Sequence, residues 1–131
     1  MLSRRDFGWG AVTGAGAMAV MASEVAIAAP EVTVSLNVIY PRHDGARFDT
    51  AYYRATHIPL AMKVMGAENV IVIEGLPAGS AAAPFVMIAH FQFGSLEALQ
   101  AATANPGMVE VRADIATFTD IKPIVMLGKS M

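Results

Sequence analysis

Apolar and polar residues alternate from Val32 to Tyr40. Val32, Val34, Leu36, Val38 and Tyr40 fall on one side, and Thr33, Ser35, Asn37 and Ile39 on the other. A period of two marks a strand with one buried face. PRHDGAR (41–47) ends it with the Pro, Asp and Gly of a turn. From Asp49, a residue suited to N-capping, the spacing becomes helical. Tyr53, His57, Leu60 and Val64 form one stripe expected to face a sheet, and Gly66 supplies the C-terminal stop. NVIVIE (69–74) reads as a short β-branched strand, GLPAGSAAAP (75–84) as a loop, and FVMIAHFQF (85–93) as a second long strand. Ser95 caps a helix over 96–104, and Asn105-Pro106-Gly107 interrupts it. Helical spacing then resumes with Met108, Val111, Ile115 and Phe118. KPIVMLG (122–128) is the last strand, and Pro123 at its start suits a sheet edge.

The order β-α-β-β-α-β predicts an α+β sandwich, with helical segments on one face of an antiparallel four-stranded sheet. Neither Leu76 to Pro84 nor the tail is long enough to cover the other face. The economical cover is a second copy packed sheet to sheet as a symmetric homodimer. The mean hydropathy of +0.49 is raised by the N-terminal leader, yet the remainder is still apolar enough to expect a subunit interface.

The first 28 residues read as a leader. Arg4 and Arg5 follow Ser3, Phe7 comes next, and a mildly apolar run extends from Trp9 to Ala22 before Ala26-Ile27-Ala28. Paired arginines and a small-x-small site are those of a twin-arginine export signal cleaved before Ala29. The expectation is a signal peptide (1–28), export through the twin-arginine machinery, and a single periplasmic or secreted domain (29–131). The run is shorter than the roughly 20 apolar residues that span a bilayer. The chain has no cysteine, which excludes disulfides, thiolate nucleophiles and a lipid anchor on cysteine. A net charge of −2 without a basic stripe argues against nucleic acid as a partner.

The stretch YYRATHIPL (52–60) carries the candidate chemistry. Pro59 cannot donate to the Ala55 carbonyl and biases Ile58 away from helical angles. A bend there would leave room beside His57 and an acceptor for its imidazole. His57 then reads either as a general acid/base facing a cavity or as a buried histidine bonded to a backbone carbonyl. Tyr40, where the first strand ends, is either a donor to a developing oxyanion or an amphipathic rim residue. Asn37 and His90 are polar residues on central strands, so each lines a cavity or faces the dimer interface. Asp114 is expected to be solvated, the alternative being that it orients a histidine; His43 is expected to be exposed. No phosphate loop, dinucleotide fingerprint or nucleophile elbow occurs, and three scattered histidines do not make a metal site.

Two segments, YPRHDGARFDTAYYRATHIPLAMKVMG (40–66) and AHFQFGSLEALQAATANPGMVEVRADIATFTD (89–120), resemble the EthD domain. The most specific parts are the strand-ending Tyr, the Phe-Asp, Tyr-Tyr and His-x-Pro-Leu sequence, and the closing Ala-Asp-x-x-x-Phe-Thr-Asp. The resemblance implies a ferredoxin-like fold that dimerises into an α/β barrel. It also implies kinship with oxidoreductases and with small barrels acting on polyketides, phenols and lactones, often without cofactor. It places His57 in a pocket between helix and sheet. The expected function is binding of a small apolar or aromatic oxygenated molecule, with cofactor-free oxidation or proton transfer. His57 is then the acid/base with Tyr40 as the second catalytic group, and Tyr53, Asn37 and His90 contact substrate. The alternative is a non-catalytic binder or accessory protein. No cofactor is expected, although some related barrels hold haem in the same pocket.

Overall fold

The computed structural model describes residues 33–131, so the leader and its cleavage site lie outside the described residues. Strand β1 (Val34–Pro41) leads into helix α1. That helix opens as an α-turn (Thr50–Tyr52), passes through a π-helical segment (Tyr53–His57) and continues as Ile58–Met65. Strands β2 (Asn69–Glu74) and β3 (Phe85–Phe93) follow, then helices α2 (Leu96–Ala104) and α3 (Met108–Phe118), and strand β4 (Ile124–Lys129). The sheet runs β2-β3-β1-β4, antiparallel at every pairing. This is the ferredoxin-like α+β arrangement. Strand β4 lies at the edge and begins just after Pro123, which has no N–H for a ladder.

The period of two sorts the sheet's faces as expected. Leu36 and Tyr40 of β1 and Met87, Ala89, Phe91 and Phe93 of β3 are buried in one core with Leu99, Ala102, Val111 and Phe118 of the helices. Ser35, Asn37 and Ile39 point to the opposite face, as do their cross-strand partners Gln92, His90 and Ile88.

Helix α1 departs from the expected stripe for a definable reason. Asp49 caps it by accepting from the Tyr52 N–H at 3.1 Å. The Ile58 N–H then reaches back five residues to the Tyr53 carbonyl, the widened bond of a π-turn. One extra residue in the turn moves every later side chain round by one position. The buried set therefore becomes Tyr53, His57, Ile58, Ala61 and Met65, while Leu60 and Val64 are only half-buried. Pro59 falls in the first turn of the resumed α-helix, the position at which a helix best tolerates proline. Ile58 stays helical, at φ −62° and ψ −46°, contrary to the bias expected before proline. The widened turn accommodates the ring, so the backbone need not leave the helix. Gly66, at φ 65°, ends the helix in the left-handed region that favours glycine.

Candidate functional site

A cavity of about 610 Å³ lies between the sheet and the helices. Leu36, Val38 and Tyr40 of β1 form part of its floor with Ala89 and Phe91, and Val125 and Leu127 of β4 complete it. Tyr53, His57, Ile58, Ala61 and Met65 come from α1, and Met108, Val111, Arg112 and Ile115 from α3. The volume is that of a small-molecule site, and the lining is mostly apolar with a few polar groups.

His57 is held by two elements. Its ring lies 4.5 Å from the Phe118 ring and stacks at 5.8 Å on Tyr53. Its Nδ1 is 2.9 Å from Asp114 Oδ2, and the Tyr52 hydroxyl donates to Asp114 Oδ1 at 2.7 Å. Asp114 is therefore not the solvated residue expected from the sequence, since its side chain is only 15% exposed. Sequence spacing could not pair residues 57 positions apart, although the Ala-Asp-x-x-x-Phe-Thr-Asp close already contained it. The backbone carbonyl expected to anchor the imidazole is replaced by a carboxylate.

Burial works to raise the Asp114 carboxyl. Hydrogen bonds from Tyr52 and His57, the histidine charge and a bond from Thr117 outweigh it, and the group sits below the ordinary carboxylate value. An ionised Asp114 only accepts, so Nδ1 carries the imidazole proton and Nε2 is the basic nitrogen. Among the described residues Nε2 makes no hydrogen bond, and His57 lines the cavity.

Two phenols share that cavity. Tyr40 and Tyr53 pack edge to face at 5.8 Å, with Phe48 and Phe118 around them. Burial pushes both hydroxyls well above the usual tyrosine range, and the neighbouring phenol adds to the effect at Tyr53. Both therefore stay protonated as donors. Among the described residues the Tyr53 hydroxyl is a buried side-chain polar atom without a partner, and such a group costs free energy while it stays unsatisfied.

Asn37 and His90, expected to touch substrate, do not join this cavity. They lie on the opposite face of the sheet, with His90 Nδ1 2.6 Å from Asn37 Oδ1. Gln92 and Asn69 extend the row, since Gln92 Nε2 lies 3.4 Å from His90 Nε2 and Asn69 donates to Gln92 Oε1. Their strand position is one residue out of phase with the cavity, so a period of two sends them away from it. His43 is exposed as expected, with Nε2 3.6 Å from Asp120.

Among the described residues, no group of three or more His, Asp or Glu is placed to hold a metal ion. The histidine nitrogen that this cavity offers to any haem iron is His57 Nε2. No described helix is long and apolar enough to cross a membrane.

The model of the EthD domain matches residues 45–122, a span that contains His57, Pro59 and Asp114. A crystal structure of an EthD-like protein from Ralstonia eutropha is similar at 35% identity and a TM-score of 0.68, covering 75% of this chain and 91% of that one. An EthD family protein from Bacillus halodurans shares 21% identity at a TM-score of 0.62, covering 76% of this chain and 99% of that one. A protein of Arabidopsis thaliana shares the fold at 18% identity and a TM-score of 0.57, over 75% of this chain and 95% of that one. No curated protein matches the chain. With its domain model covering more than half of the sequence, the chain belongs to the EthD family.

Proposed function

We propose that this chain binds a small apolar or aromatic oxygenated molecule in the helix-to-sheet cavity and transfers a proton from it to His57, without a cofactor. The observation that carries the reading is His57 fixed to Asp114 at 2.9 Å, with Nε2 unbonded among the described residues, in a cavity that Tyr40 and Tyr53 also line. Nε2 takes the proton from an acidic C–H or phenolic O–H. The electron pair left behind becomes an enolate or phenolate, and Tyr53, with Tyr40 beside it, donates to that oxygen. The imidazolium that forms is stabilised by the Asp114 carboxylate. In an oxidation, molecular oxygen would then accept electrons from the anion; in a simple proton transfer, the proton returns elsewhere on the same molecule. A passive binder calls for an apolar cavity without convergent polar groups; a histidine held by a carboxylate, lining the cavity with two tyrosines, favours the proton-transfer reading.

The test is hydrogen–deuterium exchange at acidic C–H positions of a panel of phenols and 1,3-dicarbonyl compounds, followed in deuterated water with oxygen uptake recorded in parallel. His57→Asn should lower exchange by roughly 10²–10⁴ while the fold persists. Equal exchange by wild type and His57→Asn would leave His57 a structural residue.

The reading extends to assembly and location. Ile71, Ile73, Ile124 and Met126 on the sheet's open face are 44–53% exposed around the Asn37–His90–Gln92 row. A second copy packed on this face about a two-fold axis, burying roughly 1,200 Å² or more in total, would cover these side chains. Export through the twin-arginine route places the activity in the periplasm.

A further inference from the structure

Arg112 and Lys122 line the cavity from separate elements, Arg112 on the α3 stripe with Met108 and Ile115, and Lys122 just before β4. Both are exposed, and neither side chain makes a hydrogen bond or ion pair among the described residues. Arg42 donates to the Ala83 carbonyl at 2.7 Å and Arg47 to the Ala116 carbonyl at 3.2 Å, whereas Arg54, outside this lining, is also without a side-chain partner among the described residues. The lining contains no Asp or Glu. Asp114, the carboxylate behind His57, is already taken up by Tyr52 and His57. The whole chain carries a net −2, and what sets Arg112 and Lys122 apart is that both border one apolar cavity whose lining holds no acid. Cations set in low-dielectric walls focus field on an incoming anion.

We propose that the cavity's ligand is an apolar organic acid, whose carboxylate pairs with Arg112 and Lys122 while its ring or chain lies on Val38, Ala61, Phe91 and Leu127. The inference rests on the reading of the cavity as a small-molecule site and names the class of molecule. The acid group stays at the partly wet cations, where a guanidinium matches a carboxylate in geometry as well as charge. The apolar body is thereby directed inward, toward His57 and Tyr53. Neither cation takes part in proton transfer; each selects and orients.

Isothermal titration calorimetry of the full chain with 2-naphthoate and with its neutral methyl ester tests this, because the two share one aromatic body. The carboxylate should bind at least about fivefold tighter than the ester at low salt, and the advantage should shrink as sodium chloride is raised. Arg112→Gln and Lys122→Gln should each weaken 2-naphthoate about fivefold and leave the ester within about twofold. Both side chains are exposed, so these substitutions leave the core untouched. Ala61→Leu, which places extra carbons in the cavity, should weaken both compounds. If the two compounds bind equally and the glutamine variants change neither, the anion selection is overturned while the cavity reading stands. If neither compound binds, or Ala61→Leu affects neither, both the inference and the cavity reading fall.

Discussion

Replacing Asp114 by asparagine removes one acceptor from a group that serves two donors. In the wild type, Oδ2 accepts from His57 Nδ1 at 2.9 Å and Oδ1 from the Tyr52 hydroxyl at 2.7 Å. The asparagine amide keeps one oxygen, so one of those donors must face an N–H. Hydrogen bonds to a charged group contribute about 1.5–3 kcal/mol each. Some of this is recovered, because Tyr52 can turn its hydroxyl to accept from the amide and no ionised group has to be desolvated. A net loss of about 1–2 kcal/mol is expected at neutral pH, which corresponds to a fall in Tm of roughly 4–16 °C for a domain of this size. The pH dependence gives the sharper signature. The Asp114 carboxyl lies below its ordinary value of 3.8 in the folded chain. Its stabilising contribution is thus complete above the unfolded value and is lost as pH falls through the folded one. Wild type and Asp114→Asn should differ most in urea midpoint at pH 6–8, and the gap should narrow toward pH 3. A gap that is absent at pH 7, or that stays constant on acidification, would refute the assigned role of Asp114.

Other consequences follow from the same geometry. Tyr53→Phe removes a buried hydroxyl without a partner, so stability should stay level or rise by up to about 1 kcal/mol while deuterium exchange of substrate falls; a loss of more than about 1 kcal/mol would mean that the hydroxyl is satisfied. Deleting the exposed Ala55 should collapse the π-turn to an α-turn and set the Pro59 ring against a helical carbonyl, costing about 3 kcal/mol. Adding Pro59→Ala to the deletion should recover most of that loss in a urea titration, and no recovery would separate the proline from the bulge. Arg4→Lys with Arg5→Lys should hold the precursor in the cytoplasm on fractionation, and an undiminished periplasmic signal would reject the export route. Sedimentation velocity at micromolar concentration should show a dimer, which a single monomeric species would contradict.

Most of the fold was legible because its determinants are local. The period of two in VTVSLNVIY and FVMIAHFQF separated the two sheet faces, and Asp49, Ser95 and Gly66 marked helix ends through backbone chemistry that neighbours dictate. The helix stripe was misjudged at one point. A π-turn adds one residue to the helix period, and nothing in the spacing of Tyr53, His57, Leu60 and Val64 distinguishes it from a plain α-helix. Only the competition to bury Ile58, Ala61 and Met65 reveals it. Pro59 flagged the right place but the wrong consequence, since the widened turn removes the need for a break. The site was half legible. His57, Tyr40 and Tyr53 do converge, whereas Asn37 and His90 face away, a result already implicit in their odd-even position on the strands. Asp114 was read as solvated, with orientation of a histidine only the alternative, because its partner is brought near only by packing of α3 against α1.

The central claim is that His57 presents a basic Nε2 to the cavity because Asp114 holds the proton on Nδ1. Long-range ¹H–¹⁵N NMR of histidine-labelled protein tests it directly, at a pH where the imidazole is neutral. His57 should be the Nδ1–H tautomer, its Nε2 should have the shift of an unprotonated nitrogen, and this nitrogen should respond to 2-naphthoate. The tautomer preference should weaken in Asp114→Asn. A proton found on Nε2 in the wild type would contradict the account, because the ring would then have no base to offer the cavity.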